Sequence, residues 1–220
     1  MSLFKNRSHA GKQLAEKIFN HQEIKASSQE VVVLAVPRGG LVVGKEVAAK
    51  LNAPLDVVVV QKISVPENQE LAIGAIGETK GSVDINKRIV EELKIDDEYI
   101  EKEVKAKKQQ INKKEKIFRE GKQPLSLKNK TVVVVDDGAA TGETMMAAVR
   151  EVWNNDPQKV IAALPVLSKE TLDEIDDVVD EVIFLEAKDL FFAVGQFYED
   201  FSEVSDKEAV NVLKDYKNGK

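Results

Sequence analysis

The densest chemistry in the chain lies in one stretch, Val132-Val133-Val134-Val135-Asp136-Asp137-Gly138-Ala139-Ala140-Thr141-Gly142-Glu143-Thr144-Met145. Four consecutive Val read as a buried strand that delivers two adjacent carboxylates to its end. Gly138, Ala139, Ala140 and Gly142 then leave the backbone uncovered, Thr141 and Thr144 add hydroxyls, and a helix follows. Backbone amides at a helix N-terminus, reinforced by the helix dipole, cradle a phosphate. Paired carboxylates just before such a cradle accept hydrogen bonds from vicinal hydroxyls. A sugar phosphate offers both chemistries on one molecule. The blander alternative is a capped strand-turn-helix whose small residues only permit close packing, and the pair of Asp followed by Thr-Gly-x-Thr weighs against it. A nucleoside-triphosphate loop needs Lys where Glu143 stands, and no Gly-x-Gly-x-x-Gly fingerprint occurs.

Three further segments carry candidate chemistry. After the apolar run 31–36 comes Pro37-Arg38-Gly39-Gly40, where two Gly free backbone N–H groups for an anion and Arg38 adds a planar charge; an idle Arg in a tight turn is the other reading. Gln61-Lys62 opens a polar, Pro- and Gly-containing stretch, 63–81, that reads as a long mobile loop with Gly74 and Gly77 as hinges and Glu70 and Glu78 as its carboxylates. The tail 189–201 holds Phe191, Phe192, Val194, Phe197 and Phe201 on an irregular segment, suited either to stacking on a planar base or to packing a satellite core.

The elements that must position these groups alternate. Helical spacing of Ala10, Leu14, Ala15, Ile18 and Phe19 predicts a helix over about 7–23, and further helices are expected at 42–51, 85–93, 96–118, 144–153, 169–178 and 206–216. Apolar strands are expected at 31–36, 55–60, 131–135, 160–164 and 181–185. Strands apolar throughout, separated by helices, imply an α/β fold with a parallel sheet covered on both faces, and ligands of such sheets gather at the carboxyl ends of the strands. The 96–118 helix has a narrow stripe of Ile100, Val104, Ile111 and Phe118, which docks on the body or on a second subunit; its charge run reads as a solvated face.

Composition bounds the rest. A 220-residue chain suits one domain. It has no Cys, which excludes disulfides and thiol chemistry, and only His9 and His21, which argues against a multi-His metal site. A net charge of -6 argues against nonspecific nucleic-acid binding. No apolar run is long enough to span a bilayer and no targeting segment is evident, so no membrane partner and a cytoplasmic location are expected.

On Asp136-Asp137-Gly138-Ala139-Ala140-Thr141-Gly142-Glu143-Thr144 the sequence resembles the type I phosphoribosyltransferase family, in the form of the motif most like its adenine-specific members. From Pro37 to the C-terminus it is similar to a bacterial and archaeal group of predicted phosphoribosyltransferases without a settled substrate. The resemblance implies a Rossmann-like core over about 25–185, a mobile loop at 63–81, a helical insertion at 83–120 and a hood at 186–220. It also implies transfer of ribose 5-phosphate from 5-phosphoribosyl 1-pyrophosphate to a nitrogenous acceptor, with Mg2+ and a homodimeric state. In that scheme Asp136 and Asp137 hold the ribose hydroxyls and, mostly indirectly, the metal. Residues 138–144 hold the 5-phosphate. Arg38, Gly39, Gly40 and Lys62 face the pyrophosphate, Phe191, Phe192, Val194 and Phe197 form the base pocket, and Glu199 or Asp200 lies near the metal. Two departures stand out. Ala140 occupies the position of the Asp that serves the base in hypoxanthine and guanine enzymes, and Gln61 replaces a common Arg. They leave open a donor-binding regulator that has lost turnover.

Overall fold

The computed structural model describes residues 2–26, 30–66, 68–79 and 83–218. Its centre is a five-stranded, wholly parallel sheet in the order β2-β1-β6-β7-β8. The strands are β1 (Val31–Ala35), β2 (Leu55–Val57), β6 (Thr131–Val135), β7 (Lys159–Ser168) and β8 (Glu181–Lys188). This is the parallel, two-sided α/β sheet that the apolar strands predict.

Their uninterrupted apolar sequences follow from being covered on both faces. Val33, Val133, Val135 and Ala163 point to one core with α1 (Arg7–Asn20), α3 (Gly39–Leu51) and α8 (Asp206–Asn218). Val32, Val132, Val134 and Ala162 point to the other, under α6 (Glu143–Trp153) and α7 (Lys169–Asp176). A short α2 (Gln22–Ala26) follows α1. β1 and β6 pair in full register, Val31 with Thr131 through Ala35 with Val135, so the loops leaving their carboxyl ends emerge side by side.

The segment expected as an irregular loop is ordered differently. Its described residues include a separate antiparallel sheet of β3 (Gln61–Val65), β4 (Asn68–Ile76) and β5 (Val83–Ile85). Ile63, Ile73 and Ile76 are buried beneath it, and this sparse set of apolar anchors is enough because the sheet lies on helices already built. Gly74 and Gly77 are close-approach positions rather than evident hinges: a Cβ at Gly74 would strike the Asp84 carbonyl, and one at Gly77 the Glu151 carboxylate. The second strand of the main sheet is also shorter than expected, since Val58–Val60 turn away towards β3.

The helical segment α4 (Lys87–Glu92) leads into α5 (Asp97–Arg119), capped by Asp96. Ile111 and Phe118 of its stripe are buried. Tyr99 near its start donates to the Ser64 carbonyl on β3 at 2.9 Å, and Arg119 at its end reaches β2. The tail turns through a 3-10 segment, Val194–Phe197, and pairs with the N-terminal residues: Leu3 and Phe4 N–H donate to the Phe197 carbonyl, and Glu199 and Asp200 N–H to those of Phe4 and Lys5.

Candidate functional site

The motif after β6 is built as a loop with fixed carbonyls and an open helix start. Ala139 N–H donates to Val166 and Ser168 N–H to Ala139, which ties the loop to β7. The Ala140 carbonyl accepts from Thr171 Oγ1 at 2.7 Å and Ser168 Oγ at 3.1 Å. Gly142, at φ 68°, ψ -10°, precedes α6 in the left-handed region, where a Cβ would also meet Thr171 at 2.7 Å. No described side chain caps α6, and its first helical bond is Met146 N–H to Gly142. The amides of Glu143, Thr144 and Met145 therefore have no intrahelical acceptor and point out of the helix start. Thr141 and Thr144 are both exposed there.

The Pro37–Gly40 loop packs directly on this motif, as the β1–β6 register requires. A Cβ on Gly39 would fall onto the Asp137 carboxylate, and one on Gly40 would lie 2.8 Å from the Val135 carbonyl and 3.0 Å from Asp136 Cα. These two positions are glycine because backbone meets carboxylate here. The Pro37–Arg38 peptide is cis. Arg38 pairs with Glu203 of the tail at 2.6 Å, and Lys62 on β3 with Glu143 of the motif at 3.2 Å.

Asp136 and Asp137 occupy an environment unfavourable to two negative charges. Burial, and then the charge of Asp137, push the Asp136 carboxyl well above the usual range. Burial also raises Asp137, opposed by Arg7. Asp137 N–H donates to Asp136 Oδ1 at 2.8 Å. Arg7, from the first turn of α1, donates through Nε to Asp137 Oδ2 at 2.6 Å and through Nη1 to the Ser202 carbonyl at 2.8 Å. Its guanidinium lies 3.8 Å from the centre of the Phe201 ring. Tyr198 donates its hydroxyl to the Asp137 carbonyl at 2.6 Å, and burial holds that phenol above its ordinary range.

Most of the sequence-derived candidates converge here: Arg38, Gly39, Gly40, Asp136, Asp137 and the 138–144 loop are contiguous, and Lys62 joins them through Glu143. The hood candidates divide. Val194 stands over Gly138, where an added Cβ would meet its Cγ1 at 2.6 Å. Phe191 packs on Phe197 at 4.8 Å between ring centres, and Phe197 belongs to a small core with Phe4, Ala10 and Val166. Phe192 is 85% exposed. Asp200 is tied to its own turn, accepting from Ser202 N–H and Oγ, which holds its carboxyl below the usual range. The Glu70 side chain lies outside the described residues.

Glu78, a carboxylate of the expected loop, is committed elsewhere. It binds the buried Arg119 through both oxygens and accepts from Val59 N–H. Arg119 also holds Asp56, Glu115 and the Val57 carbonyl. This cluster lines a cavity of about 250 Å³ with Leu125, Glu151 and Asn155, away from the motif.

Arg7, Tyr198, Lys107 and Lys114 reach the site without having been anticipated. Arg7 and Tyr198 leave no local signal, because they lie 130 and 61 positions from Asp137. The two lysines do leave one. Ile100, Val104, Ile111 and Phe118 follow a 4-7-7 spacing, and filling it to the regular 4-3-4-3-4 seam of a packed helix inserts Lys107 and Lys114. Both line a cavity of about 340 Å³ with Pro37, Lys62 and Thr144. Lys114 also lines a second cavity, about 660 Å³, with Arg7, Arg38, Gly39 and Phe201.

Residues 3–202 match the family model described as phosphoribosyl transferase domain. A Mycobacterium tuberculosis protein, provisionally named a phosphoribosyl transferase in strains CDC 1551 and H37Rv, is 38% identical over 213 residues, covering 97% of this chain and 47% of its own. The chain thus spans about half the length of the curated relatives it matches. The crystal structure of TT1426 from Thermus thermophilus superposes with a TM-score of 0.83 at 36% identity, covering 98% of this chain and 99% of that one. The AQ2163 protein of Aquifex aeolicus, at 15% identity and a TM-score of 0.50, shares the fold over 82% of this chain and 74% of its own. The chain belongs to the phosphoribosyl transferase family.

Proposed function

We propose that this chain transfers ribose 5-phosphate from 5-phosphoribosyl 1-pyrophosphate to a nitrogenous acceptor and releases pyrophosphate. The observation that carries this reading is the contact of Gly39 and Gly40 with Asp137 and Asp136. It sets an anion loop beside two carboxylates, with an open helix start on the same edge of the sheet, which is the order of groups along the donor. The amides of 143–145 and the hydroxyls of Thr141 and Thr144 receive the 5-phosphate. Asp136 and Asp137 accept from the ribose hydroxyls. Arg7 takes Asp137 Oδ2 and leaves the other oxygen for the sugar.

As the bond to pyrophosphate breaks, positive charge grows on the ribose ring and negative charge on the leaving group. The chain's contribution is mainly electrostatic. The two carboxylates sit beneath the developing cation, while Arg38, the Gly39 and Gly40 amides and Lys62 lie towards the leaving group. Asp136 and Asp137 fit a Mg2+ ion held chiefly by substrate oxygens and water: they offer two adjacent carboxylates, and no cluster of three or more possible ligands occurs among the described residues. Such an ion supplies neutralisation of the departing phosphates. Phe201, beside Arg7 in the larger cavity, and Val194 are the hood groups best placed to meet an acceptor. Homodimerisation and a role in nucleotide salvage belong to the same reading.

Incubation with Mg2+, 5-phosphoribosyl 1-pyrophosphate and a panel of bases should release pyrophosphate with one class of acceptor. Asp137→Asn should lower donor affinity or turnover at least about a hundredfold, the scale of a lost charge-assisted contact pair, with an unchanged far-UV spectrum. Survival of activity in that variant would sink the ribose assignment. A regulator that binds the donor without turnover is the second reading, favoured by Ala140, whose side chain offers no acceptor to a base and whose carbonyl is already taken by Thr171 and Ser168. Tight donor binding with no pyrophosphate release on any base would select it.

A further inference from the structure

Helix α5 carries two lysines where its packing pattern calls for apolar residues. Lys107 and Lys114 are seven residues apart, two turns and about 10.5 Å along the axis, and so share one face. That face is the seam of Ile100, Val104, Ile111 and Phe118 that docks on the body. A lysine in a packed seam gives up part of the hydration of its ammonium, so its presence calls for a partner. Lys107 has Glu103 at 3.8 Å, one turn away on its own helix. Lys114 is half-buried and has no ion-pair or hydrogen-bond partner among the described residues. Its surroundings are of mixed charge: burial pushes its ammonium below the ordinary value, Asp206 opposes this, and Arg38 and Lys107 add to it. Both lysines face the cavity bounded by Pro37, Lys62 and Thr144, so three cations from two elements (Lys62 of β3, Lys107 and Lys114 of α5) face the Pro37–Gly40 loop, which carries a fourth, Arg38, beside Lys114 in the neighbouring cavity.

Lys62, Lys107 and Arg38 each have a carboxylate neighbour, Glu143, Glu103 and Glu203 respectively, and α5 is fixed at both ends, by Tyr99 on Ser64 and by Arg119 on Val57, which holds these cations about the loop. Their field is suited to a compact polyanion rather than to a single carboxylate. We infer that Lys107 and Lys114 are leaving-group residues, through which the helical insertion completes the diphosphate end of the donor site together with Lys62 and Arg38. The inference rests on the donor reading above and assigns to α5 a function beyond packing.

Replacing both lysines by Met separates this role from a structural one, because Met fills a seam position with an apolar chain of similar length. The Lys107→Met/Lys114→Met protein should melt at the same temperature as the wild type or higher. Its Kd for inorganic pyrophosphate with Mg2+, read by titration calorimetry, should rise tenfold or more, while the Kd for ribose 5-phosphate stays within about twofold. Lys114→Arg should retain most of the pyrophosphate affinity, and Lys113→Gln, one exposed position away, should leave it unchanged although it too removes a positive charge. Wild-type pyrophosphate affinity in the double variant overturns the inference, and so does a parallel loss of ribose 5-phosphate affinity or a lowered melting temperature. If the wild type binds neither pyrophosphate nor 5-phosphoribosyl 1-pyrophosphate, the donor reading itself falls and takes this one with it. If Asp137→Asn loses the donor while the double variant keeps pyrophosphate, only the role of α5 falls.

Discussion

Two groups of arginine–carboxylate pairs in this molecule are built to opposite purposes. Arg119 is 4% exposed and gathers Asp56, Glu78 and Glu115 around one guanidinium, with a backbone carbonyl completing the set. At the motif, Arg7 meets one carboxylate, Asp137, while Arg38 meets Glu203 at 2.6 Å and Asp206 at 4.0 Å, and Glu203 is 78% exposed. The first group ties α5 to β2 and the β4 end, and its guanidinium is saturated by these partners although the cluster borders a cavity. Within the second, Arg7 and Asp137 are largely enclosed, at 11% and 13% exposed, and the Arg38 pairs lie at a cavity rim where an anion can replace one partner at small cost. Three carboxylates on one buried guanidinium mark the scaffold, and the exposed carboxylates on Arg38 mark the rim of the candidate site.

The largest effect expected from this contrast is at Arg119. Arg119→Met leaves Asp56 and Glu78 buried without their cation, and urea unfolding should show a loss of about 3–5 kcal/mol, the usual consequence of breaking a buried pair. A loss under about 1 kcal/mol would place Arg119 with the replaceable pairs and break the comparison. Next comes Glu115, whose carboxyl is pushed up from 4.5 to about 7, first by burial and then by its hydrogen bond to Glu78 and that group's charge, against the pull of Arg119. The folded protein therefore holds this proton more tightly than the unfolded chain. The associated stability is present below about pH 4.5 and is lost as pH rises through about 7. Unfolding free energy followed across that interval should fall in the wild type, and Glu115→Gln should flatten this component of the slope. The smallest effect is at the rim: Glu203→Gln should change stability by less than about 1 kcal/mol and leave donor affinity equal or tighter, because Arg38 is released. Weaker donor binding in that variant would mean that Glu203 is itself part of the site.

How much of this was legible from residue order depended on the range of the interactions involved. The parallel sheet was readable because Val31–Ala35 and Thr131–Val135 are apolar on both faces, a pattern that burial between two helix layers imposes on each strand separately. The motif was readable for the same reason, since its strand, carboxylates and helix start are contiguous. The β3–β4–β5 sheet was not, because three isoleucines spread over a polar stretch acquire their meaning only from the helices they rest on. Glu78 looked like a free loop carboxylate for want of any sign that Arg119, 41 positions later, would claim it. Lys107 and Lys114 lie between these cases: the seam they interrupt is visible in the sequence, but the loop they face is not.

The partners of Asp137 also bear on the order in which the molecule can be completed. Arg7 meets a carbonyl 195 positions away at Ser202, and the phenol on the Asp137 backbone comes from Tyr198. Contacts of such separation close large loops and form late relative to local structure. On a ribosome, α1 must wait for nearly the whole of this segment to emerge before its arginine finds both partners, so a nascent chain can hold a finished sheet while Asp137 is still unclamped. On the proposed function, competence to bind the donor then reports that residues 7 and 198–202 have met.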